Sequence, residues 1–191
     1  MKVGLFFGTF NPVHNGHFKI VSSIIKKKYV DQLWIILTPL SPFKKNQKIV
    51  SFYHRIKMLE QTFFNNKDVI ISDVENNLKQ PNYTINTLFH LEDIYPKNKF
   101  SIILGADNFQ NIHLWKSYQT ILNNYQIFIY PRQGAKLDES KSFSSIKNIH
   151  FLDFPAITVS SSFIRSNIKN QDYMNCLNPS VCKYIIDNNL Y

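Results

Sequence analysis

The chain contains few cysteines and no long apolar run. Cys176 and Cys182 are the only cysteines among the 191 residues, too few and too late in the chain for a disulfide framework or a four-ligand zinc site. We therefore expect two reduced, packed thiols. No apolar run approaches the roughly 20 residues that a membrane helix needs, and Met1-Lys2 leads into a strand-like segment instead of the apolar core of a signal peptide. These features predict a cytoplasmic protein without a membrane partner.

Acidic residues are also scarce. The chain has 13 of them against 22 lysines and arginines, which gives a formal net charge of +9. A basic chain favours an anionic partner, which could be a nucleic acid, a membrane surface or a phosphorylated small molecule. Charge alone does not choose among these partners. Because the lysines occur beside many asparagines and isoleucines, a bias typical of genome base composition, we give the charge little weight.

The apolar residues are distributed in two alternating patterns. Short runs rich in β-branched and aromatic side chains predict buried strands at residues 3–7, 33–37, 69–71, 100–104 and 127–130. Helical spacing of apolar residues predicts helices within residues 18–25, 52–63 and 85–95. Because the strands are continuously apolar and alternate with helices, we predict an α/β fold. It is a single Rossmann-like, doubly wound parallel sheet with helices on both faces, in one domain covering residues 1–191.

The last third of the chain has a weaker pattern. Polar residues predict a loop over residues 131–148, followed by a short strand at residues 150–152. We expect Ser160 or Ser161 to cap a helix that runs through residue 168. Asn178 and the proline after it predict the start of a last helix that reaches residue 189. These segments form a small C-terminal helical part.

The segment "GTFNPVHNGH", residues 8–17, follows the first predicted strand and precedes the first helix. Ligands of open α/β sheets bind where strands end in this way. Gly8 lets the backbone turn closely, Pro12 stiffens the loop, and Gly16 lies at the helix start, whose N–H groups favour phosphate. His14 and His17 are one helical turn apart, so both can face the same anion. This arrangement suits nucleotidyl transfer, which requires charge stabilisation on phosphate oxygens.

Two other interpretations of the histidine pair are open. The pair could be two zinc ligands, although no third ligand lies nearby at a familiar metal spacing, and we predict no protein metal site. One histidine could instead have a structural role, bonding a carbonyl near the helix start.

Two motifs together resemble the cytidylyltransferase-like nucleotidyltransferases. "GTFNPVHNGH" is similar to their signature, in which a His-x-Gly-His element corresponds to residues 14–17. "SSSFIR", residues 160–165, is similar to their Ser-Ser-x-x-x-Arg element near the C-terminus. The two motifs lie at the expected ends of the chain, and together they are far more specific than either alone.

Further segments resemble one branch, the bacterial nicotinate-nucleotide adenylyltransferases, over nearly the full length. They are "PLSPFKKN" at 39–46, "HRIKMLE" at 54–60, "NYTINTL" at 82–88 and "GADNFQNIHLWKSYQTIL" at 105–122. The stretch from Gln133 to His150 is the least informative. The chain departs from the pattern at Asn11, where many members carry Asp, and at Asn86, where acidic residues are common. A neutral amide at Asn11 can keep the hydrogen bonds of the loop.

The resemblance implies a reaction and its substrates. AMP would pass from ATP to nicotinate mononucleotide, giving nicotinate adenine dinucleotide and pyrophosphate in NAD biosynthesis, with Mg²⁺ bound mainly through the ATP phosphates. Nicotinamide mononucleotide or phosphopantetheine as the acceptor, or CTP as the donor, are alternatives. A basic nucleic-acid-binding module is an alternative from another class, but no binding signature accompanies the charge, so we expect no nucleic-acid partner. The sequence is compatible with an oligomer.

The resemblance also implies three groups of site residues. The catalytic phosphate contacts are His14, His17, Lys44 and Arg165. ATP is bound by Gly8, Thr9, Phe10, Gly16, Gly105, Asp107, Ser160, Ser161 and Ser162. The pyridine nucleotide is bound by Tyr83, Thr84, Trp115 and Arg132.

Residue chemistry fits these assignments and also leaves alternatives. Trp115 and Tyr83 have flat faces that suit a pyridine ring, and Thr84 has a hydroxyl and a backbone donor for its carboxylate. Asp107 follows a strand and suits ribose hydroxyls. Core packing is the alternative for the two aromatic residues, helix capping for Asp107, and exposure to solvent for Lys44 and Arg132. The other four histidines are expected to be structural or surface residues: His54, His90, His113 and His150.

Overall fold

The computed structural model describes residues 1–39, 49–134, 147–170 and 172–191. Within them lies one six-stranded sheet, in the order β3-β2-β1-β4-β5-β6, in which every adjacent pair is parallel. The strands are β1 (Lys2–Gly8), β2 (Gln32–Leu37), β3 (Val69–Ser72), β4 (Lys99–Gly105), β5 (Gln126–Tyr130) and β6 (Ile149–Phe151). The Rossmann-like α/β fold is therefore confirmed.

Helices connect the strands. In the described part of the chain they are α1 (Asn15–Lys26), α2 (Phe52–Phe63), α3 (Thr84–Ile94), α4 (Ala106–Phe109), α5 (Tyr118–Asn124), α6 (Ser161–Ser166) and α7 (Pro179–Asp187). Single 3₁₀ turns lie at Val74–Asn76, Ile112–Leu114, Ile168–Asn170 and Met174–Cys176. None of the helices in these ranges is long and apolar enough to cross a membrane.

Two apolar clusters cover the two faces of the sheet. Consecutive residues of one strand belong to opposite clusters: Ile35 packs with Ile20 of α1 and Met58 of α2, whereas Ile36 packs with Leu88 of α3. Both faces of a strand are thus buried, which is why its sequence is continuously apolar rather than alternating.

The sequence predicted the five main strands with edges displaced by one residue at most. The sixth strand was predicted one residue too late, because its position is set by pairing with β5, in which Ile127 lies opposite Ile149. Ser160 does cap α6, but that helix ends at Ser166 and a separate 3₁₀ turn follows. Asn178 caps α7 as predicted, although the helix ends two residues early, at Asp187.

The sheet order produces a crevice at one edge. The chain leaves β1 to build β2 and β3 on one side, then crosses to β4 on the other side of β1. Crossover connections therefore diverge between the carboxyl ends of β1 and β4, where Gly8 and Gly105 end the two strands. Ligands of this fold bind at such a point.

The two cysteines lie in the C-terminal helical part. Cys176 and Cys182 are half-buried free thiols, as the low cysteine count predicted.

Candidate active site

His14 and His17 cap the first helix reciprocally. His14 is the N-cap of α1, and its Nδ1 accepts a hydrogen bond from the His17 backbone N–H at 3.4 Å. The Nδ1 of His17 accepts from the His14 backbone N–H at 3.2 Å. Their rings stack with centroids 3.7 Å apart. Because each Nδ1 is an acceptor, the neutral form of each ring carries its proton on Nε2 and presents that atom as a donor.

The His14 ring is neutral at physiological pH. Only 2% of the residue is exposed, and burial, followed by the positive charge of Arg132, lowers the pKa of His14 to about 3. An imidazole with such a pKa donates a hydrogen bond without carrying a charge. Both histidines thus have a structural role at the helix start, in which each ring accepts from a backbone N–H, whereas the alternative named a carbonyl oxygen as the partner.

Arg55 stabilises the loop before the histidines through hydrogen bonds to backbone carbonyl oxygens, and the sequence analysis did not identify it as a site residue. Its guanidinium donates from Nη1 to the carbonyl oxygens of Thr9 and Thr38, both at 2.8 Å. Phe10 adopts a left-handed backbone with φ of 45°, and its ring packs edge to face with the His17 ring, with centroids 4.9 Å apart. Helical spacing could have predicted that Arg55 is buried. It lies three and four residues before apolar residues of α2 and so belongs to the buried face of that helix.

The C-terminal serine and arginine motif docks on the same loop. Arg165 donates from Nη1 to the carbonyl oxygen of Asn11 at 2.8 Å and from Nη2 to Ser162 Oγ at 3.2 Å. The Ser161 hydroxyl donates to the carbonyl oxygen of Pro12 at 2.8 Å. Ser160 Oγ accepts from a backbone N–H in the first turn of α6. The structure therefore brings the two motifs, about 150 residues apart in sequence, into one site.

Asn11 connects the loop to two distant segments. Its side-chain oxygen accepts hydrogen bonds from the Val50 backbone N–H at 3.1 Å and from the Tyr191 hydroxyl at 2.9 Å. Burial raises the pKa of Tyr191, so its hydroxyl remains protonated and donates. The amide at this position thus keeps the hydrogen bonds of the loop, as expected. Tyr191 itself carried no signal in the sequence.

Gly105, Asp107 and Arg132 form the other side of the crevice. A Cβ atom at Gly105 would collide with the Asp107 carboxylate and lie 3.1 Å from Arg132 Cγ, so a larger residue here would displace these side chains. Arg132 Nε lies 3.6 Å from the Asp107 carboxylate. The alternative that Asp107 caps a helix is wrong, because Gly105 is the N-cap of α4 and Asp107 lies inside its first turn.

A cleft opens beside this crevice, between the end of β4 and the start of α3. Tyr83, Thr84, Trp115 and Lys116 line it, together with strand-end residues that include Gly8 and Gly105. Tyr83 and Trp115 are half-buried and pack against the second apolar cluster, so the core-packing alternative accounts for part of their surface. Arg132 is not among the described residues that line the cleft, and its assignment to the pyridine nucleotide stays a prediction.

Glu75 and Asn82 form a polar floor for the cleft, and neither was among the predicted site residues. Glu75 is 2% exposed and accepts a hydrogen bond from Thr87 Oγ1 at 2.9 Å. Burial raises the pKa of Glu75, and hydrogen bonds from Thr38 and Thr87 partly oppose that shift. The Asn82 amide donates to the backbone carbonyl oxygen of Glu75 at 2.7 Å, which connects the 3₁₀ turn to the start of α3.

Lys44 lies outside the described residues, so its assignment stays a prediction. His54 bonds the Tyr184 hydroxyl at 2.9 Å and His150 stacks on the ring of Phe128, so both are structural. In the four described ranges, no group of three or more His, Cys, Asp or Glu side chains could hold a metal ion.

Comparison with known proteins agrees with this geometry. Residues 5–167 match the cytidylyltransferase-like family model. A probable nicotinate-nucleotide adenylyltransferase of Flavobacterium psychrophilum is 41% identical over 100% of this chain and 99% of its own length. One of Flavobacterium johnsoniae is 38% identical over the same shares.

A solved structure shares the fold. Plasmodium falciparum nicotinic acid mononucleotide adenylyltransferase, complexed with NaAD, superposes with a TM-score of 0.87 at 20% identity, covering 100% of this chain and 97% of that one. The matches to full-length relatives, and the joining of the histidine and serine–arginine motifs at one crevice, lead to one conclusion. The chain belongs to the cytidylyltransferase-like family and, within it, to the nicotinate-nucleotide adenylyltransferases.

Proposed function

We infer that the protein transfers AMP from ATP to nicotinate mononucleotide, forming nicotinate adenine dinucleotide and pyrophosphate in NAD biosynthesis. The observation that carries this conclusion is the stacked His14–His17 pair, which the Arg165 motif contacts through the loop and which lies beside an aromatic cleft. An anion site and a site for a flat ring are thus adjacent, as the joining of two nucleotides requires.

The chemistry is an in-line substitution at phosphorus. A phosphate oxygen of the mononucleotide forms a bond to the α-phosphorus of ATP, while the bond to the bridging oxygen breaks and pyrophosphate leaves with the electron pair. The attacking oxygen is already ionised at neutral pH, so no general base is required. The neutral state of His14 agrees with this scheme, because the ring has to donate a hydrogen bond and not accept a proton.

Most of the proposed contacts join the protein to the phosphates of ATP. We assign the Nε2–H donors of His14 and His17 to the α- and β-phosphates, where charge develops. Arg165 uses two of its five N–H donors inside the protein, so the remaining donors can bind the leaving phosphates together with the hydroxyls or amides of Ser160–Ser162. Lys44 is assigned to the phosphates on the resemblance alone.

The rest of ATP would lie along the ends of β1 and β4. Gly105 allows close approach of the nucleotide, and the Asp107 carboxylate beside it is placed for ribose hydroxyls. The backbone of Gly8, Thr9 and Phe10 would contact the nucleotide from the β1 side, and Gly16 leaves the start of α1 accessible to phosphate. Arg132 keeps its assignment to the pyridine nucleotide on the resemblance, and its guanidinium also lies beside Asp107 and acts electrostatically on His14.

The pyridine ring would occupy the cleft between Tyr83 and Trp115. Tyr83 is the N-cap of α3, among the described contacts no side chain caps that helix, and Tyr83 and Thr84 both line the cleft. We assign the Thr84 backbone N–H and hydroxyl to the carboxylate on the ring, where the positive end of the helix also favours a negative charge.

Magnesium fits the site as a part of the ATP substrate. The described donors around the histidine loop are imidazole, hydroxyl and guanidinium groups, which suit phosphate oxygens, and the Asp107 carboxylate is engaged by Arg132. Mg²⁺ prefers oxygen ligands and keeps several waters. We therefore expect the ion to be bound mainly through the triphosphate, whose charge it partly neutralises.

The test is pyrophosphate release from MgATP with nicotinate mononucleotide, in the parent enzyme and two histidine variants. We expect His17→Ala to lower kcat by about 10²–10³, as the loss of an oxyanion donor does. His90→Ala, a substitution on the outer part of α3, should leave kcat unchanged. An undiminished kcat in His17→Ala would contradict the proposed role of the pair, and a parent enzyme without turnover would contradict the function.

A further inference from the structure

Lys116 extends along the wall of the aromatic cleft. It follows Trp115 in sequence, and its ammonium nitrogen lies 4.8 Å from the centroid of the Tyr83 ring. The residue lines the cleft together with both aromatic residues, although it is exposed to solvent. A cation at this distance is attracted to the face of an aromatic ring, which orders an otherwise mobile side chain.

Lys116 is the one lysine or arginine among the described residues that line the cleft. Glu75 lies at the floor of the same cleft, where its carboxyl accepts a hydrogen bond from Thr87 Oγ1. Arg165 contacts the loop after β1 and Arg132 lies beside Asp107, and neither is among the described residues that line the cleft. The ring end of the site therefore has its own positive charge, separate from that of the phosphate end.

We propose that Lys116 is a specificity-determining residue, whose ammonium contacts the carboxylate of the nicotinate ring and favours nicotinate over nicotinamide mononucleotide. This inference rests on the proposed function. The two substrates have nearly the same shape and differ by one full negative charge, so shape alone discriminates poorly between them. Backbone N–H groups such as that of Thr84 can bond the carbonyl oxygen of an amide as well as a carboxylate. A charged donor gains energy chiefly with the carboxylate.

The experiment compares kcat/KM for nicotinate and nicotinamide mononucleotide in four proteins: the parent enzyme, Lys116→Met, Lys116→Arg and Lys67→Met. Lys67 is also exposed but precedes β3 at the opposite edge of the sheet, so its variant controls for the loss of one charge. We expect Lys116→Met to lower the ratio of the acid to the amide substrate about tenfold or more, mostly through KM for the acid. Lys116→Arg and Lys67→Met should keep the parent ratio.

Ionic strength provides a second measure. Salt screens an exposed charge, so the parent ratio should decrease between low and high salt, whereas the ratio of Lys116→Met should stay level. Equal losses for both substrates in Lys116→Met would mean that the lysine contacts the shared phosphate and would overturn the inference, as would an unchanged ratio. If the parent enzyme turns over nicotinamide mononucleotide but not the acid, the proposed function fails, and the inference fails with it.

Discussion

Replacement of Arg55 by methionine tests whether one buried cation organises the active-site loop. Arg55 is 2% exposed and donates four hydrogen bonds, all to backbone carbonyl oxygens, of Thr9, Thr38, Val50 and Pro39. Burial lowers the pKa of Arg55 to about 10, so the side chain still carries its charge at neutral pH. These carbonyls belong to the loop after β1 and to the chain after β2. One side chain thus joins the two segments that border the site.

The structure gives the size of the expected effect. Methionine is long enough to fill the space but donates no hydrogen bond. The bonds to Thr9 and Thr38 are buried, and an acceptor left unsatisfied in such a place costs about 1–3 kcal/mol. The other two carbonyls are only partly buried and can be hydrated. We therefore expect Arg55→Met to lower the free energy of unfolding by about 2–6 kcal/mol, a large part of the roughly 5–15 kcal/mol that holds a domain folded.

Thermal unfolding monitored by circular dichroism measures this loss, which corresponds to a Tm lower by roughly 5–20 °C for a chain of this size. Lys57→Met is the matched control, since Lys57 lies on the same helix but pairs with Glu60 in solvent, and its Tm should barely change. At a temperature where both variants are folded, Arg55→Met should also have the lower kcat, because Thr9 belongs to the histidine loop. A Tm within about 2 °C of the parent value would refute the reasoning.

Two further predictions concern the same loop. The pKa of His14 is lowered from 6.5 to about 3 in the folded protein. Between these pH values the unfolded chain therefore binds more protons than the folded protein. The contribution of His14 to stability is complete above about pH 6.5 and is lost as the pH falls toward 3. His14→Asn keeps a capping oxygen, so its free energy of unfolding, measured in urea, should depend less on pH than that of the parent. Parallel curves of unfolding free energy against pH for the two proteins would contradict this. Tyr191→Phe removes the hydroxyl that donates to the Asn11 side-chain oxygen beside the Val50 N–H, and should cost about 1 kcal/mol in the same assay. Tyr53→Phe, at a residue 62% exposed, should cost nothing, and an equal loss in both variants would count against the role of Tyr191.

Features that depend on neighbours in sequence were predictable. The continuous apolar runs identified the strands because parallel strands are buried on both faces, as Ile35 and Ile36 show by packing into opposite clusters. The start of α7 was predictable because Asn178 supplies a cap and a proline follows it. The histidine loop was recognisable for the same reason, since its glycines, proline and imidazoles lie within ten residues.

Features that depend on distant partners were not predictable. Tyr191 bonds Asn11 across 180 positions, and no local pattern around either residue indicates that contact. Arg132 forms an isolated backbone bridge with Ile157 and lies beside Asp107, and neither contact is visible in the sequence around it. The end of β6 depended on its register with β5. In each case the position follows from tertiary packing, which one sequence does not display.

The histidine pair connects the folding of α1 with the chemistry of the site. Each Nδ1 accepts a hydrogen bond from a backbone N–H at the start of the helix, and the same bond directs the proton of that ring to Nε2. A ring that lost its capping bond would be free to adopt the other tautomer and withdraw its donor from the phosphates. Loss of activity in His17→Ala therefore combines a lost donor with a weakened helix start. His14→Asn separates these contributions, because it preserves a cap while removing the imidazole donor: if its stability is close to that of the parent and its kcat is low, the donor and not the cap is what catalysis requires.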